Sequence, residues 1–342
     1  MNNKVIIIAE AGVNHNGNFE NAKKLILAAA NAGADYVKFQ TFKADKLVSK
    51  EAQKAEYQKA NLKEDGDTQY DMLKKLEMSE AWHYELIKYA NECGIKFLST
   101  GFDEESIDFL VSLKIDFLKI PSGEITNKPY LEHIAKKGKQ VIISTGMSNL
   151  EDIRKAFEIL VENGTPKNYI TILHCNTEYP TPMLDVNLKA MLAIKEEFNV
   201  NIGYSDHTLG IEVPIAAVSL GAKVIEKHFT LDKKMEGPDH SASLNPLELQ
   251  LMVDSIRNIE LALSGNGFKE PTESEKKNIA ASRKSVHISK KIQKGKIISK
   301  ENIMMRRPGD GISPMEISKI IGGKVNKNLE IDHKLSWDDL IF

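Results

Sequence analysis

The sequence predicts a (β/α)₈ TIM barrel followed by a small β-rich domain. Two observations carry the barrel. Eight short runs rich in Val, Ile and Phe recur along the first part of the chain, and longer segments with helical spacing separate them. Short apolar runs between amphipathic helical patterns mark buried parallel strands, and eight such units over roughly 260 residues match the size of this barrel. A third observation sets the boundary. Near residue 265 the alternation stops at a polar stretch with Gly and Pro, SGNGFKEPTESEKKN, which reads as a linker. A doubly wound open sheet is the competing architecture, but its G-x-G-x-x-G fingerprint does not follow the first run.

In chain order the expected strands are VIIIAEA (5–11), YVKFQT (36–41), IKFLSTG (95–101), FLKIPSG (117–123), VIISTG (141–146), YITILHC (169–175), NIGYSDH (201–207) and KVIEKHF (223–229). Helical segments such as NAKKLILAAANAG, SEAWHYELIKYANECG and LEDIRKAFEILVENG lie between them and stop at Gly33, Gly94 and Gly164. The connection at 43–75 is longer and rich in Lys, Glu and Gln, as a lid or an excursion would be. The expected domains are a barrel over 1–265, a linker over 266–283 and a tail domain over 284–342. The tail holds short strands, turns such as KGK and PGDG, and one short helical stretch. At about 60 residues it is marginal for stability by itself.

The chain of 342 residues, 42% hydrophobic and 27% charged, reads as a soluble globular protein with a sizeable core. A net charge of −2 lacks the basic excess of nucleic-acid or membrane-surface proteins, so neither partner is expected. Cys93 and Cys175 stand alone, which suits a reducing compartment and no disulfide framework. The apolar run near the N-terminus is too short for a signal peptide, and no 18-residue apolar window is present. The cytoplasm is the expected location.

In such a barrel chemistry sits at the C-terminal ends of the strands, and these ends are polar. The first carries Glu10, with Asn14 and His15 just beyond; the second carries Lys38 and Gln40; the fourth Lys119, Ser122 and Glu124. The fifth ends in Ser144 and Thr145, and the sixth near His174, Asn176 and Tyr179. The seventh brings Ser205, Asp206 and His207, and the eighth Glu226, Lys227 and His228. Alternation puts Lys38 with Gln40, Ser205 with His207, and Glu226 with His228 on shared faces. An inward lysine must meet an anion or a carboxylate. Lys38 and Lys119 with several hydroxyls form a candidate phosphate and carboxylate site, against the plainer reading of structural ion pairs. His207 and His228 are either satisfied core imidazoles or a pair of ligands to a divalent metal. A Ser-His-Asp triad in SDH is a competing reading that strand geometry disfavours, because three consecutive strand residues do not all face one pocket.

Taken together, IAEAGVNHNG, VKFQTFKADKL, KIPSGEITNKPYL, ISTGM, LHCNTEYPTP, GYSDHT, EKHFTLDK with GPDHSAS, and RRPGDGIS resemble the bacterial sialic acid synthases over essentially the whole chain. The tail from about 284 is similar to that family's antifreeze-like (SAF-type) domain, a compact β-rich module. The resemblance implies a transferase. Phosphoenolpyruvate (PEP) condenses with the open-chain aldehyde of an N-acylated mannosamine-type sugar, giving a nine-carbon 2-keto acid and phosphate. It implies His207 and His228 as ligands of a divalent metal, Mn²⁺ first, with Mg²⁺ or Co²⁺ as alternatives. Lys38, Lys119, Ser122, Ser144 and Ser205 would bind PEP. Glu124, Lys119 and Glu10 would act at the reacting centre. Gln40, Tyr179, Asp239 and Arg307 would hold the sugar. The resemblance also implies a homodimer whose swapped tail brings Arg307 over the partner's barrel. N-acetylmannosamine, giving N-acetylneuraminate, is the first expected sugar. The alternative is 2,4-diacetamido-2,4,6-trideoxymannose, giving N,N'-diacetyllegionaminate. A non-catalytic sugar-binding barrel and a PEP aldolase for phosphorylated sugars are remoter readings. Two departures stand out. Gly101 replaces a proline common at strand three, which predicts a looser turn. Asn176 precedes Thr177, where some relatives have the reverse order.

Overall fold

A computed structural model describes residues 4–62 and 68–341. The chain forms two compact units, 1–265 and 266–342. In the first, eight strands lie in one sheet: β1 (Ile6–Gly12), β2 (Tyr36–Thr41), β3 (Lys96–Gly101), β4 (Phe117–Ile120), β5 (Gln140–Ser144), β6 (Ile170–Cys175), β7 (Asn201–Asp206) and β8 (Val224–His228). Their order is β3-β2-β1-β8-β7-β6-β5-β4, with every ladder parallel. The two end strands, β3 and β4, pack side by side. The result is the expected TIM-type barrel, nearly closed.

The helices of this unit are α1 (Phe19–Asn31), α2 (Ala44–Leu47), α3 (Glu56–Asn61), α4 (Gln69–Leu76), α5 (Glu80–Glu92), α6 (Glu104–Ser112), α7 (Lys128–Ala135), α8 (Leu150–Glu162), α9 (Lys189–Phe198), α10 (Glu212–Ser219) and α11 (Pro246–Ala262). Local chemistry starts many of them. Asn18, Thr68, Ser79, Asp103, Asn127, Asn149 and Asn245 each accept a first-turn backbone N–H through the side chain. Pro246 then opens α11 at a position where no N–H is needed.

The alternation of strand residues divides core from site. In β1, Ile7 and Ala9 join the main apolar core, while Glu10 lines a cavity at the strand end. In β8, Ile225 joins the core, while Glu226 and His228 line that cavity. Asp206 and Lys227 lie on the alternate positions and are fully buried against each other, with the Thr208 carbonyl as a second acceptor for the lysine. Ser205 and His207 line the cavity and Asp206 does not, so the SDH string is indeed split between two faces.

The long connection after β2 carries α2, α3 and α4. They build a second apolar cluster from Val13, Phe42, Met72 and Leu76, with Leu47, Leu62, Leu73 and Phe102 packed against it. The turn after β3 is held tightly, unlike the expectation from Gly101. A Cβ there would lie 2.9 Å from Ile107 Cδ1 and 3.2 Å from its backbone nitrogen. Tyr130 Oη donates to the Gly101 carbonyl at 2.6 Å. Glycine lets α6 start this close without a shift of Ile107.

The second unit begins with α12 (Glu273–Ser282), a helix within the stretch read as a linker. Its strands are β9 (Ser285–Ile288), β10 (Ile303–Arg306), β11 (Lys324–Val325) and β12 (Leu340–Ile341), with the short helix α13 (Ile317–Ile320) between β10 and β11. β9 pairs with β10 and β11 with β12, both antiparallel. Val286, Ile288, Ile298, Ile320, Val325, Leu329 and Leu335 fill a core of their own. Ser285 pins the PGDG turn, donating to the Pro308 carbonyl at 2.7 Å and accepting from Gly311 N at 2.8 Å. No helix among the described residues is long and apolar enough to cross a membrane.

The barrel wall leaves no room at Gly203 on β7. An added Cβ would sit 2.3 Å from the Val224 carbonyl oxygen and 2.5 Å from Leu173 Cδ2. Gly203→Ala is therefore expected to lower the unfolding free energy of the full chain by about 1–3 kcal/mol, the usual cost of overpacking. Urea unfolding measures it, and an unchanged midpoint would contradict the packing described.

Candidate active site

A cavity of about 660 Å³ opens at the C-terminal ends of the strands. Glu10, Lys38, Gln40, Lys119, Ser122, Glu124, Ser144, Tyr179, Ser205, His207, His228 and Asp239 all line it. Arg307 belongs to the other unit. There it is exposed, and its Nε donates to the Ser282 carbonyl at 2.9 Å.

Strand register brings these residues together. Glu10 on β1 stands beside Lys38 on β2 and beside His228 on β8. Cys175 on β6 stands beside Ser205 on β7, and Ser205 beside Glu226 on β8. Parallel strands in register thus place side chains distant in sequence on one ring.

Two ammonium groups and two carboxylates form the floor. Lys38 Nζ lies 2.8 Å from Glu10 Oε2 and 3.6 Å from Glu226 Oε2, and it donates to Thr100 Oγ1 at 2.8 Å. Lys119 Nζ lies 3.5 Å from Glu226 Oε1 and donates to Ser144 Oγ at 2.8 Å. Ser205 Oγ donates to Glu226 Oε1 at 2.9 Å. All four charged side chains are about 95% buried or more. Pairing is what makes such burial tolerable. Beyond these ion pairs neither Glu10 Oε2 nor Glu226 Oε2 meets a further donor, so acceptor capacity stays unspent.

The two carboxylates divide the charge unequally. Burial pushes Glu10 up to about 7, although Lys38 beside it pulls the other way. Burial also opposes the charge of Glu226, but Lys119 and Lys38 together outweigh it and hold that carboxyl below its usual range. Glu10 is nearer to a lysine, yet it is the readier proton acceptor, because Glu226 answers two ammoniums and Glu10 chiefly one. Lys38 keeps its proton firmly, since Glu10 and Glu226 more than offset the burial that would lower it. Burial lowers Lys119.

Beside this floor stand two imidazoles. The rings of His207 and His228 have centroids 5.4 Å apart. Tyr179 packs over both, 4.0 Å from the His207 ring and 5.5 Å from that of His228. His207 Nδ1 donates to the Asn176 carbonyl, which leaves Nε2 as a bare lone pair. His228 Nδ1 is buried without a hydrogen-bond partner and lies 3.9 Å from Asp239 Oδ2. Burial drives His207 down to about 4 and His228 well below its usual value, so both rings are neutral near pH 7. Neutral rings with open lone pairs are what a divalent cation takes as ligands. No cluster of three or more His, Cys, Asp or Glu side chains suited to a metal occurs among the described residues. A cation here would have two protein nitrogens and would complete its shell with Asp239, water or substrate oxygens.

Further groups complete the ring. Ser122 Oγ accepts from Gly146 N at 3.0 Å and lies 3.2 Å from Cys175 Sγ. Glu124 Oε2 accepts from Asn127 Nδ2 at 2.6 Å. Gln40 Nε2 approaches Glu10 Oε1 at 3.4 Å. At the Asn176–Thr177 step, Thr177 lines the cavity, Asn176 Oδ1 accepts from Glu178 N at 2.7 Å, and the main-chain carbonyl at 176 accepts from His207 Nδ1. His15 is not part of the site. It is buried among Phe39, Trp82 and the Gly17 N–H.

Among the polar groups around the floor, sequence reasoning left Glu226, Thr100 and Cys175 without a role. Glu226 was legible as sharing the face of His228, but nothing local shows that it bridges two lysines. Thr100 carried the same signal as other strand-end hydroxyls. Cys175 reads as a core thiol.

This fold and site define a TIM-barrel enzyme whose cavity has a buried, paired-charge floor beside two neutral imidazoles. A family model described as the NeuB family matches residues 25–269, and a SAF domain model matches residues 283–341. The N,N'-diacetyllegionaminic acid synthase of Legionella pneumophila is 53% identical over 98% of this chain and 94% of its own length. The synthase of the same name from Campylobacter jejuni is 52% identical, covering 96% and 98%. A solved N-acetylneuraminic acid (sialic acid) synthetase from Leptospira borgpetersenii, in complex with citrate, aligns with a TM-score of 0.70 at 34% identity, covering 81% of this chain and 90% of that one. The chain belongs to the NeuB family and carries a C-terminal SAF domain.

The shared charges of the floor make a testable pair. Lys119→Met leaves Glu226 with one ammonium and is expected to cost about 3 kcal/mol of stability. Adding Glu226→Gln to that variant is expected to recover part of the loss. A double variant no more stable than Lys119→Met in urea unfolding would show that the two groups are not coupled.

Proposed function

We propose that this protein condenses PEP with the open-chain aldehyde of 2,4-diacetamido-2,4,6-trideoxymannose, giving N,N'-diacetyllegionaminate and inorganic phosphate. One observation carries the reading: two lysines, two carboxylates and two neutral imidazoles from five different strands or strand ends converge on a single cavity. The choice of sugar is supported by the two legionaminic acid synthases at 53% and 52% identity, against 37% for the human N-acetylneuraminate-9-phosphate synthase. N-acetylmannosamine, the sugar first expected, is the second reading, and likeness to the solved sialic acid synthetase favours it.

The chemistry follows from the side chains. Lys38 and Lys119, with Ser122, Ser144 and Ser205, bind the carboxylate and phosphate of PEP. These anions take up the donor capacity of ammoniums that the carboxylates only partly use. C3 of PEP bonds to the aldehyde carbon, whose oxygen gains a proton and becomes a hydroxyl. Water adds at C2 and loses a proton, and the C–O bond to phosphate breaks. Glu124 and Glu10 are the proton-handling groups. The raised pKa of Glu10 keeps it in exchange near neutral pH. Gln40, Tyr179 and Asp239 position the sugar. His207 and His228 hold a divalent cation, Mn²⁺ foremost, which supplies Lewis-acid polarisation of the aldehyde oxygen when bound.

The assay is phosphate release from PEP with each sugar and Mn²⁺. Release is expected to require sugar, to fall to background with EDTA and to return with Mn²⁺. His228→Ala is expected to reduce turnover at least about 10³-fold, as loss of a group needed for the chemistry does. Sugar-independent release, or full activity of that variant at saturating metal, would refute the assignment.

We also infer a homodimer in which Arg307 of each chain serves the partner's barrel by contacting the N-acyl group. Arg307→Ala and His228→Ala homodimers would each be nearly inactive. Mixed after co-expression, they would regain about a quarter of wild-type activity, because half the dimers are mixed and each has one intact site. No regain from a demonstrated mixed dimer would place Arg307 in its own chain's site or outside any site.

A further inference from the structure

The cavity has a second side that the reaction just described does not use. Val13, Leu47, Val48, Met72, Leu73 and Leu76 line it, all but Val13 from the excursion after β2. Hydrogen bonds hold the described parts of this excursion. Glu77 Oε1 accepts from Ala44 N at 2.7 Å, closing its two ends together. Asn61 Nδ2 donates to the Pro238 carbonyl at 2.7 Å and Asn61 Oδ1 accepts from Ser241 Oγ at 3.2 Å. Those bonds tie the tip of α3 to the loop that carries Asp239. The apolar side chains line the same cavity as Asp239, with Gln58 and Gln69 of the excursion alongside them, while the lysines stay on the floor. Lys38 and Lys119 are the cations lining the cavity among the described residues, and the acids Glu56 and Glu178 line it as well.

We propose that this apolar wall is the subsite for the far end of the sugar, and that it selects an acceptor with a methyl group at C6. The proposal rests on the condensation reading above and names what sets its substrate. A methyl group leaves water at a gain when it meets aliphatic side chains. A hydroxyl set against those aliphatic side chains loses its water without a hydrogen bond from them. A phosphate at C6 would meet acids without a cation, which disfavours phosphorylated acceptors more strongly still. Methyl-scale discrimination in an apolar pocket amounts to about 10–200-fold.

The test compares kcat/KM for 2,4-diacetamido-2,4,6-trideoxymannose and N-acetylmannosamine in the full-length, metal-loaded protein. Wild type is expected to prefer the first by about 10–200-fold, and N-acetylmannosamine 6-phosphate to be poorer than either. Leu73→Gln and Val48→Thr place a polar group on the wall from two different segments. Val48→Thr is nearly isosteric, so it guards against misfolding. In each variant the preference ratio is expected to fall about tenfold or more. If both sugars change in parallel and the ratio stays fixed, or if wild type shows no preference for the trideoxy sugar, the wall is not the selector. If wild type releases no phosphate with any sugar, the condensation reading fails and takes this one with it. The two failures are therefore distinguishable.

Discussion

Lys38 and Lys119 sit almost entirely out of water at the mouth of a parallel barrel, and keeping them charged there constrains everything around them. Glu226 answers both, and Glu10 answers Lys38. An apolar floor of the same volume would be at least as stable. The charged floor is therefore what the proposed binding of an anion calls for, with the carboxylates as its counterions beforehand. The strain of the arrangement shows in Glu10, whose carboxyl holds a proton up to about pH 7. A group that gives up and regains a proton so easily can adjust the net charge of the floor when a highly charged substrate arrives.

The alternation of β-strand side chains supports this floor from behind. Glu226 and His228 face the cavity, and Lys227 between them faces the opposite way, locked to Asp206. Asp206 in turn stands between Ser205 and His207. One buried ion pair outside the barrel's mouth therefore ties together the two strand ends that carry the imidazoles. The Asn176 carbonyl sets the tautomer of His207, so strand six adds to the same positioning.

Most of the floor was legible in the sequence for two reasons. Parallel strands buried on both sides read as dense apolar runs, and polar residues interrupting those runs at their C-terminal ends stand out. Lys38, Lys119, His207 and His228 were found that way. Other features were hidden by the same physics. Glu226 becomes meaningful only through lysines on β2 and β4, which no local pattern connects to it. The apolar wall was missed because residues 43–75 are rich in Lys, Glu and Gln overall, and their few aliphatic residues meet only when α2 and α4 pack. Gly101 suggested slack, whereas the close start of α6 makes it a tight contact. The stretch 266–283 suggested a linker because α12 has no buried residue to give it an apolar face.

The most direct test of the central idea is a crystal structure of the protein with PEP and Mn²⁺. The account predicts PEP's anionic groups on Lys38 and Lys119, with Ser144 and Ser205 among the donors, and Mn²⁺ on the ring nitrogens of His207 and His228. PEP bound away from the lysine pair, or manganese held by other side chains, would contradict it.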